Sequence, residues 1–361
     1  MSRSRGGRML EIRPFTGTPE DLGDFVTGVW KQTYHGRMTM PDWTAEYFDW
    51  QLPSAPEARR DAVVAAYEGD RLAGVIIACP YEFQTSEGLV PGALSSWLSI
   101  AEEHRGQGLV GRLKDEQAAR IRSAGGRMIT AYRYVGSRRS LSRPLREREL
   151  ASGEWACRKT GFWVRVLDSG RASRWHLDPL ARTVTAVGAP FTSRPRERTC
   201  PSHELRPFAD GDAASAAEVL AAADASRSLA IRWTAETLDR HCRGFGRCVA
   251  AVRDGRVEGL LAWHELTFFG RTADTVAVID LVETQQLPAA ARRALIDSAL
   301  ARMRSAGAVL ALKIRTGDCD PFAMVAAGFI PWFRDSHLVV RWLDGPAPPG
   351  LLRGTQQVLW R

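Results

Sequence analysis

The chain has 361 residues, too many for one ordinary core and enough for two domains of roughly 100–200 residues each. Apolar residues make up 45% and charged residues 25%, the balance of a soluble globular protein, and no apolar run approaches transmembrane length, which excludes a membrane-spanning chain. The net charge of +8 suits an acidic partner, whether a phosphorylated cofactor, an acidic carrier protein or nucleic acid, and equally suits a surface that is simply rich in Arg.

Residues 1–8 form a basic, Gly/Ser-rich arm with no apolar stretch behind it, so a signal peptide is not indicated and a cytoplasmic protein is expected. Residues 10–13 read as a strand, and 19–30 and 43–51 as helices. Two apolar runs, 62–67 and 72–79, flank Glu68, Gly69 and Asp70, a hairpin signal. Residues 94–101 read as a strand. Leu109–Ser123 has helical periodicity and stops at Gly125 and Gly126. Then come a strand at 127–134, a short helix at 149–159 and a strand at 162–167. The cysteines at 79, 157, 200, 242, 248 and 319 show no paired ligand spacing. No metal site is expected, and scattered thiols fit a reducing compartment.

Self-similarity organises the whole chain. Glu11, Ile12, Arg13, Pro14 and Phe15 return as Glu204, Leu205, Arg206, Pro207 and Phe208. Val64, Ala65 and Ala66, then Arg71 and Gly74, return as Val249, Ala250 and Ala251, then Arg256 and Gly259. Arg122, Ser123, Ala124 and Gly125 return as Arg304, Ser305, Ala306 and Gly307, and Gly161 and Phe162 return as Gly328 and Phe329. The shared order implies a duplicated domain. The expected division is the arm at 1–8, one domain at 9–185, a Pro- and Arg-rich linker at 186–203, a second domain at 204–345 and a tail at 346–361. The pattern within each copy is mixed α/β.

One stretch carries chemistry. Between the strand at 94–101 and the helix that follows lies Arg105, Gly106, Gln107, Gly108, Leu109, Val110, Gly111 and Arg112. Glycines let backbone approach phosphate oxygens, and a helix N-terminus offers unpaired N–H groups and a positive dipole. Arg105 followed by Gly108 resembles the R/Q-x-x-G-x-G/A motif of the GCN5-related N-acetyltransferase (GNAT) superfamily, with Val110 in place of its last small residue. Lys159, Thr160, Gly161 and Phe162 resemble the family's K-x-G-F mark. In the second copy the loop positions fall on residues 287–294, which hold no glycine and include Pro288, so that copy looks degenerate.

The resemblance implies an α/β fold of two tandem GNAT-type domains, each a mixed, mostly antiparallel sheet flanked by helices. It implies that residues 105–112 grip the pyrophosphate of acetyl-CoA or another acyl-CoA. It also implies that backbone at Leu98, Ser99 and Ile100 binds the pantetheine arm and stabilises the carbonyl oxyanion. Direct transfer of an acetyl or other short acyl group to a small-molecule amine would follow. The family's tyrosine acid, four residues before the Gly of K-x-G-F, is replaced by Cys157, with Tyr132 and Tyr134 as substitutes. The strand that often carries a glutamate base holds Ser95, Ser96 and Ser99; Glu82 and Glu87 read as solvated loop, and His35 could enter the acceptor side.

The Arg-rich segment 137–149 reads as a solvated loop or as a patch that touches a CoA phosphate or an acidic acyl carrier protein. An alternative donor is therefore an acyl group on carrier-bound phosphopantetheine, in specialised-metabolite assembly. A further alternative is a non-catalytic module that binds CoA or a partner. No nucleic-acid motif is present.

Overall fold

The computed structural model describes residues 10–135, 141–142, 144–188, 194–332 and 336–361. The arm at 1–8 and parts of the linker and of the Arg-rich segment lie outside them. The first copy runs β1 (Leu10–Pro14), α1 (Pro19–Tyr34), β2 (Met40–Pro41), α2 (Ala45–Gln51), α3 (Pro56–Ala62), β3 (Val63–Glu68), β4 (Arg71–Thr85), β5 (Gly88–Ile100), α4 (Leu109–Ser123) and β6 (Met128–Tyr134). Then come α5 (Glu147–Ala151), β7 (Trp155–Thr160), β8 (Phe162–Val166), α6 (Ser169–Trp175) and α7 (Pro179–Gly188). The second copy runs β9 (Glu204–Pro207), α8 (Asp212–Asp224), β10 (Leu229–Ile231), α9 (Ala235–Cys242), β11 (Arg247–Arg253), β12 (Arg256–Phe269), β13 (Ala273–Glu283), α10 (Ala289–Ser305) and β14 (Leu310–Ile314). It ends with α11 (Pro321–Ala326), β15 (Ile330–Pro331), β16 (Ser336–Trp342) and β17 (Gln356–Gln357).

Local chemistry sets the ends of several elements. Thr18 and Asp21 form a reciprocal capping box at α1 with Pro19 in the first turn. Thr44 caps α2, and Thr234 caps α9 in the same way. β3 and β4 close a hairpin from Glu68↔Arg71, around Gly69 in left-handed backbone at φ 62°.

The expected pair of mixed, mostly antiparallel sheets is present, and the repeat is visible in the pairing. β1 lies antiparallel to β3 as β9 lies antiparallel to β11. The strands do not stay with their own copy, however. In the first sheet the order is β1-β3-β4-β5-β6-β16-β7, so a strand of the second copy sits between β6 and β7. In the second sheet the order is β15-β8-β14-β13-β12-β11-β9, so β8 of the first copy sits between β14 and β15. β2 and β10 are exchanged as well, β2 onto β12 and β10 onto β4. β7 and β8 of the first copy, and β15 and β16 of the second, thus divide between the two sheets.

The cores follow from this exchange. One joins Phe83, Leu94 and Met128 of the first copy to Leu260, Leu281 and Leu338 of the second. Another joins Phe48, Ile77 and Trp97 to Leu266, Phe268 and Leu310. Outside these, α4 covers the first sheet through Leu109 and Leu113, and α10 covers the second through Leu295 and Leu300. No helix among the described residues is long and apolar enough to cross a membrane.

Two local expectations are corrected. Residues 149–159 are not a helix: α5 stops at Ala151, Gly153 turns at φ 76°, and Trp155–Thr160 is a strand paired with β16. A strand from the distant C-terminal region supplied the hydrogen bonds that decided the matter, which local periodicity does not reveal. Glu82 is not on a loop, because β4 runs on to Thr85; it is exposed on that strand.

Candidate active site

β5 is the spine of the site. It pairs in parallel with β6 only from Gly92↔Met128 to Ser95↔Ala131, although β5 continues to Ile100 and β6 to Tyr134. Beyond Ser95 the two strands part. On its other edge β5 stays paired with β4 as far as Gly74↔Ile100, with a register shift between Val75 and Ile77. Trp97 sits in that bulge in left-handed backbone at φ 52°, a conformation that costs about 1–3 kcal/mol in a non-glycine residue. Its buried ring, 5.4 Å from Phe48 and 5.9 Å from Tyr47, holds it there.

The loop after β5 is open. Gly106 and Gly108 have φ near 76° and 77°, and a Cβ placed on either would meet nothing within 4 Å. Gly108 is the N-cap of α4 and brings no side-chain cap. Its carbonyl accepts from the amides of Gly111 and Arg112, so the N–H groups ahead of these have no intrahelical acceptor. The turn therefore leaves its amides uncapped and unobstructed, the condition an anion would need there.

A cavity of about 1810 Å³ begins at this turn. It follows the parted edge of β5 past Ser96, Leu98 and Ser99, and reaches the second sheet at Val164, Leu266, Phe268, Leu310 and Leu312. Its walls change from basic at the α4 end to apolar between the sheets.

The expected loop residues divide into two groups. Leu98, Ser99, Ile100, Arg105, Gly106, Gly108, Leu109, Val110 and Gly111 line the cavity; Gln107 and Arg112 do not. Arg105 braces the loop: its Nε donates to the Ile100 carbonyl at 3.1 Å and its Nη2 to Thr33 Oγ1 at 2.6 Å. Gln107 donates to the Glu103 carbonyl and Arg112 to the Leu10 carbonyl.

Positive charge at the α4 end includes residues the sequence reading passed over. Lys114, Arg133 and Arg341 line the wall beside Trp155. Burial lowers the Lys114 pKa and the neighbouring Arg133 lowers it further, with Glu149 opposing. Burial lowers Arg133 in the same way, against the pull of Glu149 at 4.0 Å. Cations crowded into a half-buried wall favour a polyanionic guest. Lys114, close to Gly111 on the same helix, was findable by helical spacing. Arg341 was not, because only the strand exchange brings it there. Of the Arg-rich segment, Leu141, Ser142, Pro144, Arg146 and Glu149 line the cavity; residues 137–140 and 143 lie outside the described residues.

The proposed acids and base do not gather at one point. Cys157 is on β7, separated from β6 by β16, and is not among the residues lining the cavity; its Sγ lies 3.6 Å from His337 Nδ1. Two inter-strand steps place it roughly 10 Å from β6. Burial raises its pKa. Tyr132 does line the cavity, but its hydroxyl donates to the Val358 carbonyl at 3.2 Å, and burial pushes its pKa up. Tyr134 lines the cavity as well. His35 is exposed at the C-cap of α1, with its ring 6.4 Å from Phe269, and does not line the cavity.

In the second copy the matching turn is closed. Pro288 is the N-cap of α10, and Leu287 packs so tightly on β12 that a Cβ on Gly259 would lie 2.5 Å from its Cδ1.

Residues 20–134 match the model of an acetyltransferase (GNAT) domain. The same stretch holds the open turn and the parted strands. This is a two-domain GNAT-fold protein. The N-myristoyltransferase of Saccharomyces cerevisiae with bound myristoyl-CoA is similar over 98% of this chain and 89% of its own, with a TM-score of 0.75 at 15% identity. A GCN5-related N-acetyltransferase from Anabaena variabilis is similar over 93% of this chain and 73% of its own, with a TM-score of 0.52 at 10% identity. A probable N-acyltransferase from Enterococcus faecalis gives 0.50 at 12% identity, over 92% and 72%. No curated protein matches the sequence. Among the described residues the turn before α4 is open and the matching turn before α10 is closed, and the second lobe lends strands and one wall of the cavity.

Proposed function

We propose that the protein is an acyl-CoA-dependent N-acyltransferase that moves an acyl group directly to the amine of a small acceptor. The observation that carries this reading is the continuity of the open turn at Gly106 to Gly111 with the parted edge of β5 and the space between the sheets. The α4 amides with Lys114 hold the pyrophosphate. Backbone at Leu98 to Ile100 pairs with the pantetheine arm, as a strand would, and one amide at the bulge faces the thioester carbonyl oxygen. At about 1810 Å³ the cavity exceeds the ~300–1,000 Å³ of an ordinary small-ligand site, so donor and acceptor fit together, as direct transfer requires.

The apolar wall between the sheets supports an acyl group longer than acetyl. The yeast neighbour, whose structure holds myristoyl-CoA, favours the same reading.

The test is titration calorimetry with CoA, followed by mass spectrometry with acetyl-CoA, myristoyl-CoA and acyl-loaded carrier protein as donors. Wild type should bind CoA saturably. Gly108→Ala puts a methyl group into the space over the helix and strains the αL cap by about 1–2 kcal/mol. It should weaken binding about tenfold or more while the fold persists. Absence of heat with wild-type protein overturns the assignment; transfer only from the carrier protein redirects it to that donor.

A further inference from the structure

The parted strands of the first lobe carry serines where a carboxylate base would stand, and the apolar end of the cavity explains no proton transfer. Among the titratable groups that line the cavity, His264 lies on β12 of the second lobe, facing the parted strands from the opposite wall. It is 1% exposed. Its Nδ1 lies 2.8 Å from Asp280 Oδ2, and Asp280 sits on β13 where the register with β12 shifts between Ala262 and Trp263. The Tyr47 ring bridges the two walls, 5.7 Å from His264 and 5.9 Å from Trp97 in the β5 bulge.

The groups around the imidazole decide its state. Arg361 donates from Nη1 to Asp280 Oδ1 at 2.6 Å and from Nη2 to Oδ2 at 3.2 Å. His241 Nε2 lies 3.2 Å from the same Oδ2, and Tyr47 is the other titratable neighbour of the ring. Burial opposes the Asp280 charge, but Arg361, His264 and His241 outweigh it and hold the carboxyl ionised, well below its usual range. Arg361 and Asp280 already cancel, so no charge is required of the imidazole. Burial depresses His264, against the pull of Asp280, and leaves it neutral near neutral pH. A neutral ring that donates Nδ1–H to a carboxylate keeps its lone pair on Nε2. Among the described residues Nε2 takes no protein hydrogen bond.

We propose that His264, oriented by Asp280, is the general base for the acceptor amine, supplied by the lobe that lacks a phosphate turn. The proposal rests on the N-acyltransferase reading. The acceptor ammonium gives one proton to Nε2. Its freed nitrogen then bonds to the thioester carbonyl carbon, and the carbon–sulfur bond breaks. The second amine proton goes to the departing sulfur, which leaves as the CoA thiol, and the imidazolium returns its proton to solvent. Asp280 is a positioning residue in this scheme.

The experiment uses the full chain and His264→Gln, which keeps a donor for Asp280. Two nucleophiles are compared at about pH 7 by thiol release from acyl-CoA: glycinamide, whose α-amino group has a pKa of about 8 and is mostly protonated, and hydroxylamine, which is already neutral. The substitution should slow transfer to glycinamide about 10²–10³-fold and transfer to hydroxylamine less than about threefold, with CoA affinity unchanged. Imidazole ¹⁵N spectra of the wild-type protein without CoA should place the ring proton of His264 on Nδ1. Equal loss with both nucleophiles, no loss with either, or a ring proton on Nε2 overturns the dyad. A wild type that binds CoA yet turns over neither nucleophile overturns the N-acyltransferase reading instead, and the dyad with it.

Discussion

Removing β16 should unfold the first lobe, although every residue of its GNAT match lies before β9. β16 pairs with β6 from Ser336↔Tyr134 to Trp342↔Met128, and with β7 from Ser336↔Thr160 to Arg341↔Trp155. Leu338 and Val340 are fully buried, and Val339 and Trp342 are 2% exposed. At about 1.5–3 kcal/mol for each buried apolar side chain, these four contribute roughly 6–12 kcal/mol before any hydrogen bond is counted. That is comparable to the whole stability of a typical domain, about 5–15 kcal/mol, and it is an upper figure because unfolded chains already bury some surface. A fragment of residues 10–188 would also expose both edges left by the missing strand, on β6 and β7, a route to aggregation. Expressed alone it should give no cooperative urea transition by circular dichroism. Co-expressed with 194–361 it should co-purify and recover the transition. A 10–188 fragment that folds cooperatively and binds CoA by itself would refute the claim that strand exchange joins the lobes into one folding unit.

Cys157→Ala should change turnover by less than about twofold in a thiol-release assay, because β16 separates its strand from the cavity wall. Lys114→Met, which keeps the apolar stem, should weaken CoA binding about tenfold and flatten its salt dependence, as read by calorimetry at two ionic strengths. Acid should destabilise the fold through its buried histidines. Burial depresses His241 and His264 below their usual 6.5, so the native state binds fewer protons than the unfolded chain. Their contribution is present above pH 6.5 and is lost as pH falls through their folded values. The thermal midpoint should drop between about pH 7.5 and about pH 5, and by less in His264→Gln. Equal slopes for the two proteins would contradict the placement of that imidazole.

The open turn was readable from neighbouring residues, because its glycines and the helix that follows them are local chemistry. Glycines at 106 and 108 before an amphipathic helix specify open amides whatever surrounds them, and the structure leaves that turn unobstructed. Side-chain roles were less readable. Arg105 lines the cavity and also braces the turn through Thr33 and Ile100, contacts made across the fold that no local pattern shows. Cys157 was placed by its distance from Gly161, a reckoning that assumes each copy keeps its own last strand.

The amino-acid order alone pointed to the repeated α/β pattern and to the open glycine turn before α4, since these depend on periodicity, turn chemistry and repetition along the chain. The tertiary structure decided the partners. Which strand lies beside β6, which lobe walls the cavity, and that His264 meets Asp280 and Arg361 all depend on pairings between residues far apart in sequence. The physical reason is that a strand's edge hydrogen bonds are the same for any partner. Side-chain packing between the two sheets, which no local pattern encodes, selects the exchanged arrangement.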